Sequence, residues 1–171
     1  MGILVCGLNG SGKSTLGRAL AAALRLRFLD SEDLYFPDGR FDAPRTREEF
    51  LAALDAATRE GDFVFASVKG NGVQALRERI SLAIWVDAPR ETRLQRVRER
   101  SFRRFGERML PGGDLYAAEE RFFAQVASRS DEEMRVWAAQ LPWPVLRVDG
   151  TRPVQALVPE VCTWISETTG L

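Results

Sequence analysis

A glycine-rich segment near the start of the chain carries residue types that bind phosphate. It fits the pattern G-x-x-x-x-G-K-[ST] in full. Glycines let backbone N–H groups turn towards an anion, while the lysine and hydroxyl reach phosphate oxygens and Mg²⁺. The segment therefore predicts a phosphate-binding loop, with Lys13 at the β- and γ-phosphates and Ser14 at magnesium. The predicted loop residues are Gly7, Leu8, Asn9, Gly10, Ser11, Gly12, Lys13, Ser14 and Thr15.

The segments on either side of this loop support the prediction. Residues 3–6 form a short apolar run typical of a buried strand, and Leu16 to Leu24 is an alanine-rich helical stretch. A helix placed there points the positive end of its dipole at a bound anion. The alternative is a glycine-rich turn that only connects two elements.

Acidic residues follow the second predicted strand, which covers residues 27–30. Asp30, Glu32 and Asp33 would lie at its carboxyl end, where open parallel sheets bind ligands. The alternative is a solvated turn in which Asp30 or Ser31 caps the next helix.

Two basic residues are candidates for binding a small anionic acceptor. Arg45 precedes a helix whose start is predicted by the capping-box pair Thr46 and Glu49, and a cation there opposes the helix dipole. Lys69 follows a third predicted strand over residues 63–68. We expect an acceptor-binding region at about 33–60, including an aromatic loop over residues 34–42. The alternatives are a solvated arginine and a surface lysine.

An arginine-rich helix follows the fourth predicted strand, which covers residues 80–86. Residues 90–108 contain eight arginines and three glutamates. Leu94, Val97 and Ser101 would form the packing face, and we expect an adjoining face to present guanidinium groups to phosphate. The alternatives are a solvated face or a nucleic-acid patch. The presented arginines would be Arg93, Arg96, Arg100 and Arg104.

The rest of the chain predicts a mobile segment and further packing elements. Glycines and apolar residues near 105–113 are typical of a mobile segment, so we expect a small lid at about 102–114. Residues 114–140 predict helix broken near 128–131, with packing residues only. A fifth strand over 145–148 and a final helix complete the pattern.

Composition sets further limits. The 171 residues carry equal numbers of acidic and basic side chains, so no broad field attracts nucleic acid, and nucleic-acid binding is not expected. Without histidine, any general base must be a carboxylate. The two cysteines indicate a reducing compartment, and no leader or membrane span is evident. We expect a cytoplasmic monomer or homodimer.

Five strands alternating with helices predict a three-layer α/β/α fold with a five-stranded parallel sheet in one domain, 1–171. Together with the loop, the arginine helix and the turn at 149–153, this resembles the nucleoside monophosphate kinase and shikimate kinase group of P-loop kinases. The chain is similar to bacterial proteins described as adenylate-kinase-like or as AAA family ATPases. The resemblance implies ATP and Mg²⁺ as cofactors.

The resemblance also implies roles for single residues. Arg96 would stack on adenine and Arg100 would reach phosphate, while Arg104 and Arg108 would belong to the lid. Asp30 would lie near the metal, and Glu32 or Asp33 would be the base. The turn that wraps the other side of the adenine would consist of Gly150, Thr151, Arg152 and Pro153.

One departure from the family pattern bears on the activity. Adenylate kinases carry Asp-Gly-Phe-Pro-Arg after the third strand, where this chain has residues 67–71, Ser-Val-Lys-Gly-Asn. This argues against adenylate kinase activity itself. We expect phosphoryl transfer from MgATP to a small, anionic acceptor. The alternatives are a regulatory ATPase without such an acceptor and a nucleic-acid 5′-hydroxyl kinase.

Overall fold

The structure, a computed structural model, describes residues 1–37 and 43–170, without the side chain of Asn71. Five parallel strands form one sheet in the order β2-β3-β1-β4-β5. The strands are β1 (Gly2–Cys6), β2 (Arg27–Asp30), β3 (Phe63–Ser67), β4 (Ile80–Asp87) and β5 (Val145–Asp149). The helices are α1 (Lys13–Leu24), α2 (Ser31–Tyr35), α3 (Arg47–Arg59), α4 (Asn71–Ala75), α5 (Arg90–Phe105), α6 (Tyr116–Ala127), α7 (Asp131–Ala139) and α8 (Val154–Thr169), and a 3₁₀ helix covers Gly106–Met109.

Helices cover both faces of the sheet, which confirms the predicted three layers. On one face, strand residues such as Ile3 and Ile84 pack against α1 and α8. On the other, residues such as Phe65 and Trp85 pack against α3, α4 and α7. Because both faces are covered, the central strands are apolar throughout, as their sequences predicted.

A small third cluster lies away from the sheet, between α5, the 3₁₀ helix and α6. Its buried residues are Val97, Met109, Phe123 and Val126. The predicted break in residues 114–140 is confirmed, since α6 ends at Ala127 and α7 starts at Asp131. The segment next to the predicted lid therefore has a core of its own.

One local prediction was wrong. Leu34 and Tyr35 belong to α2 rather than to a loop, because the Asp30 side chain caps this short helix by accepting a hydrogen bond from the Glu32 N–H. Tyr35 packs against Phe50 of α3, with ring centroids 5.4 Å apart. Residues 38–42 of the predicted aromatic loop lie outside the described residues.

The strand register brings the candidate residues to one edge. Cys6 of β1 lies opposite Ser67 of β3, and Asp87 of β4 lies opposite Asp149 of β5. Because the strands are parallel, their carboxyl ends share this edge, and the predicted phosphate loop leaves it from β1.

Candidate active site

The glycine-rich loop connects the end of β1 to the start of α1. Gly10 and Gly12 have φ values of 81° and 101°, a left-handed conformation that favours glycine. The side-chain oxygens of Asn9 and Ser11 are buried and find no hydrogen-bond partner among the described residues. Buried polar atoms are normally satisfied by protein, water or ligand. The Ser11 hydroxyl can donate to a phosphate oxygen, whereas the Asn9 oxygen can only accept, as from water. The loop before the N-terminus of α1 therefore fits the binding of polyphosphate.

Lys13 is buried at the first position of α1, with 8% of its surface exposed. Burial lowers the pKa of its ammonium group below the ordinary value, whereas the carboxylates of Asp30 and Glu32 raise it. The guanidinium groups of Arg100 and Arg129 lower this pKa further. Two acids and two arginines therefore surround the loop lysine closely enough to act on its charge.

The acidic residues after β2 are separated by the fold. Asp30 is buried and accepts the Glu32 N–H at 2.9 Å, which confirms the capping alternative while leaving the carboxylate beside Lys13. Glu32 is half-buried on α2, and Asp33 is exposed on the same helix. Asp30 and Glu32 both act on the Lys13 charge.

The two basic acceptor candidates are engaged elsewhere in this structure. The Arg45 guanidinium donates to the carbonyl oxygen of Leu34 at 2.7 Å. Lys69 lies 3.4 Å from a Glu133 carboxylate oxygen on α7 and is 39% exposed. Their proposed roles in acceptor binding stay predictions.

Helix α5 corrects the expectation that Arg93 is presented from its surface. Arg93 is 1% exposed and shares the packed face with Val97 and Ser101, because residues four apart lie on the same side of a helix. Arg96 instead donates to the Gly150 carbonyl at 2.8 Å and to the carbonyls of Gly10 and Ser11, both at 3.4 Å. Arg96 therefore links the phosphate loop to the turn after β5.

That turn is held in place by its own hydrogen bonds. The Asp149 carboxylate accepts the backbone N–H and the hydroxyl of Thr151, which holds the pKa of Asp149 below its usual range. The Gly150 N–H donates to the Asp87 carbonyl at 2.6 Å. Arg152 pairs with Glu160 at 2.8 Å. The turn lies against the loop, because a Cβ on Gly150 would collide with the Ser11 carbonyl oxygen.

The predicted lid arginines make contacts within their own region. Arg108 pairs with Asp114 at 2.6 Å, and both side chains are exposed. The Arg104 guanidinium carbon lies 5.3 Å from the centre of the Phe105 ring.

Arg129 was missed by the sequence analysis, which expected only packing residues in this region. It lies in the short connection between α6 and α7, and its charge acts on Lys13. The predicted helix break at 128–131 was the available signal, since a turn with a basic residue can reach a neighbouring site.

The described residues contain neither a cluster of metal ligands nor a membrane-spanning helix. Across residues 1–37 and 43–170, no group of three or more Cys, Asp or Glu side chains is arranged to hold a metal ion. In the same ranges, no helix has both the length and the apolar character needed to span a membrane.

Comparison with known proteins places the chain in a family. The family model described as AAA domain matches residues 3–107. The shikimate kinase of Symbiobacterium thermophilum is 35% identical, over 74% of this chain and 83% of that protein. Uncharacterized protein YqaC of Bacillus subtilis strain 168 is 29% identical, over 96% of this chain and 97% of its own length.

A solved structure has the same fold along the whole chain. The shikimate kinase of Aquifex aeolicus superposes with a TM-score of 0.60 and 18% identity, covering 99% of this chain and 98% of that one. The predicted three-layer fold is confirmed. The chain therefore belongs to the AAA domain family, as a P-loop kinase of the nucleoside monophosphate kinase and shikimate kinase group, and is an ATP-dependent phosphotransferase.

Proposed function

We propose that the protein transfers the γ-phosphoryl group of MgATP to a hydroxyl of a small, anionic acceptor. The observation that carries this proposal is the setting of Lys13, a buried lysine with carboxylates of Asp30 and Glu32 and guanidinium groups of Arg100 and Arg129 around it. Phosphoryl transfer depends on charge neutralisation and positioning, and this cluster supplies cations and a candidate base together.

The phosphate loop would bind the nucleotide. Its backbone N–H groups and Lys13 would hold the β- and γ-phosphates, and the Ser14 hydroxyl would hold Mg²⁺, which neutralises developing charge on the phosphate oxygens. Arg96 would fix the turn at Gly150 beside the adenine, since it already links that turn to the loop. The lid at about 102–114 would close over the phosphates and exclude water.

A carboxylate on α2 would act as the base. As the acceptor oxygen bonds to phosphorus, its proton would pass to Glu32, with Asp33 as the other candidate, while the bond from phosphorus to ADP breaks. Glu32 is favoured because its carboxylate acts on the Lys13 charge and its side chain is half-buried, whereas Asp33 is exposed. Asp30, which caps α2, would keep Glu32 in place and lie near the metal.

The acceptor would be a hydroxylated carboxylic acid or another small anion. Arg129 supports this class, because its guanidinium charge acts on the loop lysine and could also pair with an anionic group of the acceptor. The shikimate kinase relative favours acceptors of the shikimate type. Region 33–60, with Arg45, and Lys69 after β3 would complete the acceptor site once their present contacts with Leu34 and Glu133 open.

A screen of acceptors tests the proposal. Purified protein and MgATP would be incubated with shikimate, other hydroxy acids, sugars, nucleosides and nucleoside monophosphates, with ADP release as the readout. We expect one acidic acceptor to stimulate ADP release and to gain a phosphate by mass spectrometry. ADP release at one rate across the panel would instead support the regulatory ATPase. Phosphorylation of an oligonucleotide 5′ end would support the nucleic-acid kinase.

A further inference from the structure

Arg93 is a buried arginine that the phosphate-binding scheme does not use. It lies in the first turn of α5 with 1% of its surface exposed. Its Nε donates to the Ala88 carbonyl at 3.1 Å, and its Nη2 donates to the Asp131 carboxylate at 2.5 Å. Its Nη1 is buried without a hydrogen-bond partner among the described residues. Burying a guanidinium group costs free energy, so its position requires an explanation.

The backbone of Arg93 touches the phosphate loop. A Cβ added to Gly10 would collide with the Arg93 carbonyl oxygen, so the loop and the first turn of α5 are in direct contact. One turn later, Arg96 donates to the carbonyls of Gly10 and Ser11. The start of α5 is therefore fixed to the loop by main-chain contact and by a side chain.

The side chain of Arg93 reaches a different element. Asp131 is the first residue of α7 and stands two residues after Arg129. Ser130 between them caps α7 by accepting the Glu133 N–H at 3.1 Å. A contact at Asp131 therefore constrains the connection that carries Arg129. The other end of that connection is held to the same turn of α5, because Arg90 donates to the Ala127 carbonyl at 2.8 Å.

We propose that Arg93 and Asp131 are positioning residues whose ion pair, with Arg93 buried and Asp131 half exposed, sets Arg129 beside the phosphate loop for the anionic group of the acceptor. This inference rests on the proposed function for the role of Arg129. The pair connects the loop side of the molecule, through α5, to the acceptor side, through α7. Neither residue needs to touch the substrate, because each acts through the geometry of the connection before α7.

The neighbouring residue provides a matched control. Glu132 stands next to Asp131 in the first turn of α7 and pairs with Arg135 of the same helix. Glu132→Gln and Asp131→Asn remove the same charge from the same helix turn, so both change the interaction with the helix dipole alike. Only Asp131→Asn breaks the pair with Arg93.

Steady-state kinetics with MgATP and the acceptor that the protein phosphorylates test the positioning role of Arg93 and Asp131. We expect Asp131→Asn to raise the acceptor KM about tenfold, a coupling typical of contacting charged residues, with the ATP KM unchanged. Glu132→Gln should leave both values unchanged. In an Arg129→Ala background, Asp131→Asn should have no further effect, because the residue it positions is gone. An equal effect in both backgrounds, or equal effects of the two α7 variants, would overturn the proposal.

Amide hydrogen exchange tests the ion pair without any acceptor. Exchange of residues 126–133 should be faster in Asp131→Asn and in Arg93→Lys than in Glu132→Gln. Unchanged exchange would refute the positioning role whatever the kinetics show. If exchange responds as expected but no acceptor is phosphorylated by the unmodified protein, the proposed function fails and the assignment of Arg129 to an acceptor fails with it.

Discussion

The phosphate loop and the predicted lid are held by different kinds of contact. The loop is packed against main chain, with Gly10 against the Arg93 carbonyl and Gly150 against the Ser11 carbonyl. The lid region is held by the exposed ion pair of Arg108 and Asp114. Met109 of the same region also packs with Val97, Phe123 and Val126 in a small core. Exposed ion pairs contribute little to stability, so the pair itself can open at small cost, while the loop is built to keep one geometry.

Replacing Lys13 by methionine should have the largest effect on the loop side. We expect phosphoryl transfer to fall by about a thousandfold or more, because the cation at the transferring group is lost. The melting temperature of the ligand-free protein should stay the same or rise, since burial disfavours the charged lysine. An ADP-release assay measures the first point. Differential scanning calorimetry with and without MgATP measures the second, and bound ATP should stabilise only the unmodified protein.

Replacing Gly10 by alanine tests whether loop packing is as tight as the structure shows. The left-handed φ and the collision with Arg93 should together lower the free energy of unfolding by about 2 kcal/mol or more. Gly61→Ala is the control, because Gly61 has a φ of 79° and nothing within 4 Å. The free energy of unfolding of Gly61→Ala should fall by only about 1 kcal/mol, which is the cost of a left-handed φ for alanine. Equal losses in urea unfolding would show that the contact with α5 is not tight.

Alkaline pH tests the burial of the strand that precedes the loop. Burial raises the pKa of the Cys6 thiol from its ordinary 9.0 to about 12. Between these values the unfolded chain loses the thiol proton and the folded chain keeps it, so this contribution to stability is complete below pH 9 and declines above it. The Cys6 contribution to the slope should reach about 1.4 kcal/mol per pH unit, and this contribution alone should be absent in Cys6→Ala.

Urea unfolding at several pH values measures this difference, with Cys162→Ala as the control. Cys162 is only partly buried, so its loss should change the alkaline slope less. The change of stability with pH has the opposite sign for Lys13. Because the pKa of Lys13 is lowered in the folded protein, its contribution to stability increases as pH rises. A slope that is the same in Cys6→Ala as in the unmodified protein would contradict the buried thiol.

The smallest effect on stability is expected on the lid side. Asp114→Asn breaks the exposed pair with Arg108 and should leave the melting temperature unchanged. The rate of phosphoryl transfer should still change, because Arg108 would lose the partner that holds it in its present position. A large loss of stability would show that the lid region is as rigid as the loop.

The sequence predicted the loop side better than the acceptor side, for physical reasons. The loop, its flanking elements and the capping box at Thr46 depend on residues close together in the chain, and the structure contains them as expected. Arg93 was expected on the face presented to phosphate because it is charged, although its spacing is typical of the buried face. It stands four residues before Val97 and eight before Ser101, which is the spacing of a buried face.

Arg129 and the contacts of Lys69 could not be predicted in the same way. Both depend on where α7 and the connection before it lie, and α7 packs against one face of the sheet. This packing joins residues more than sixty positions apart, such as Lys69 and Glu133. No local pattern encodes such a contact. The missed α2 helix has a local cause, since the Asp30 cap that starts it was one of two alternatives at that position.

The ratio of ADP to phosphorylated acceptor in a single reaction tests whether the protein transfers phosphate to a small molecule. With MgATP and the stimulating acceptor from the screen, ADP and phosphorylated acceptor would be quantified together by phosphorus NMR. Our account predicts equal amounts of the two products, and neither above background with Lys13→Met. Formation of ADP and free phosphate, without a phosphorylated acceptor, would contradict phosphoryl transfer to a small molecule.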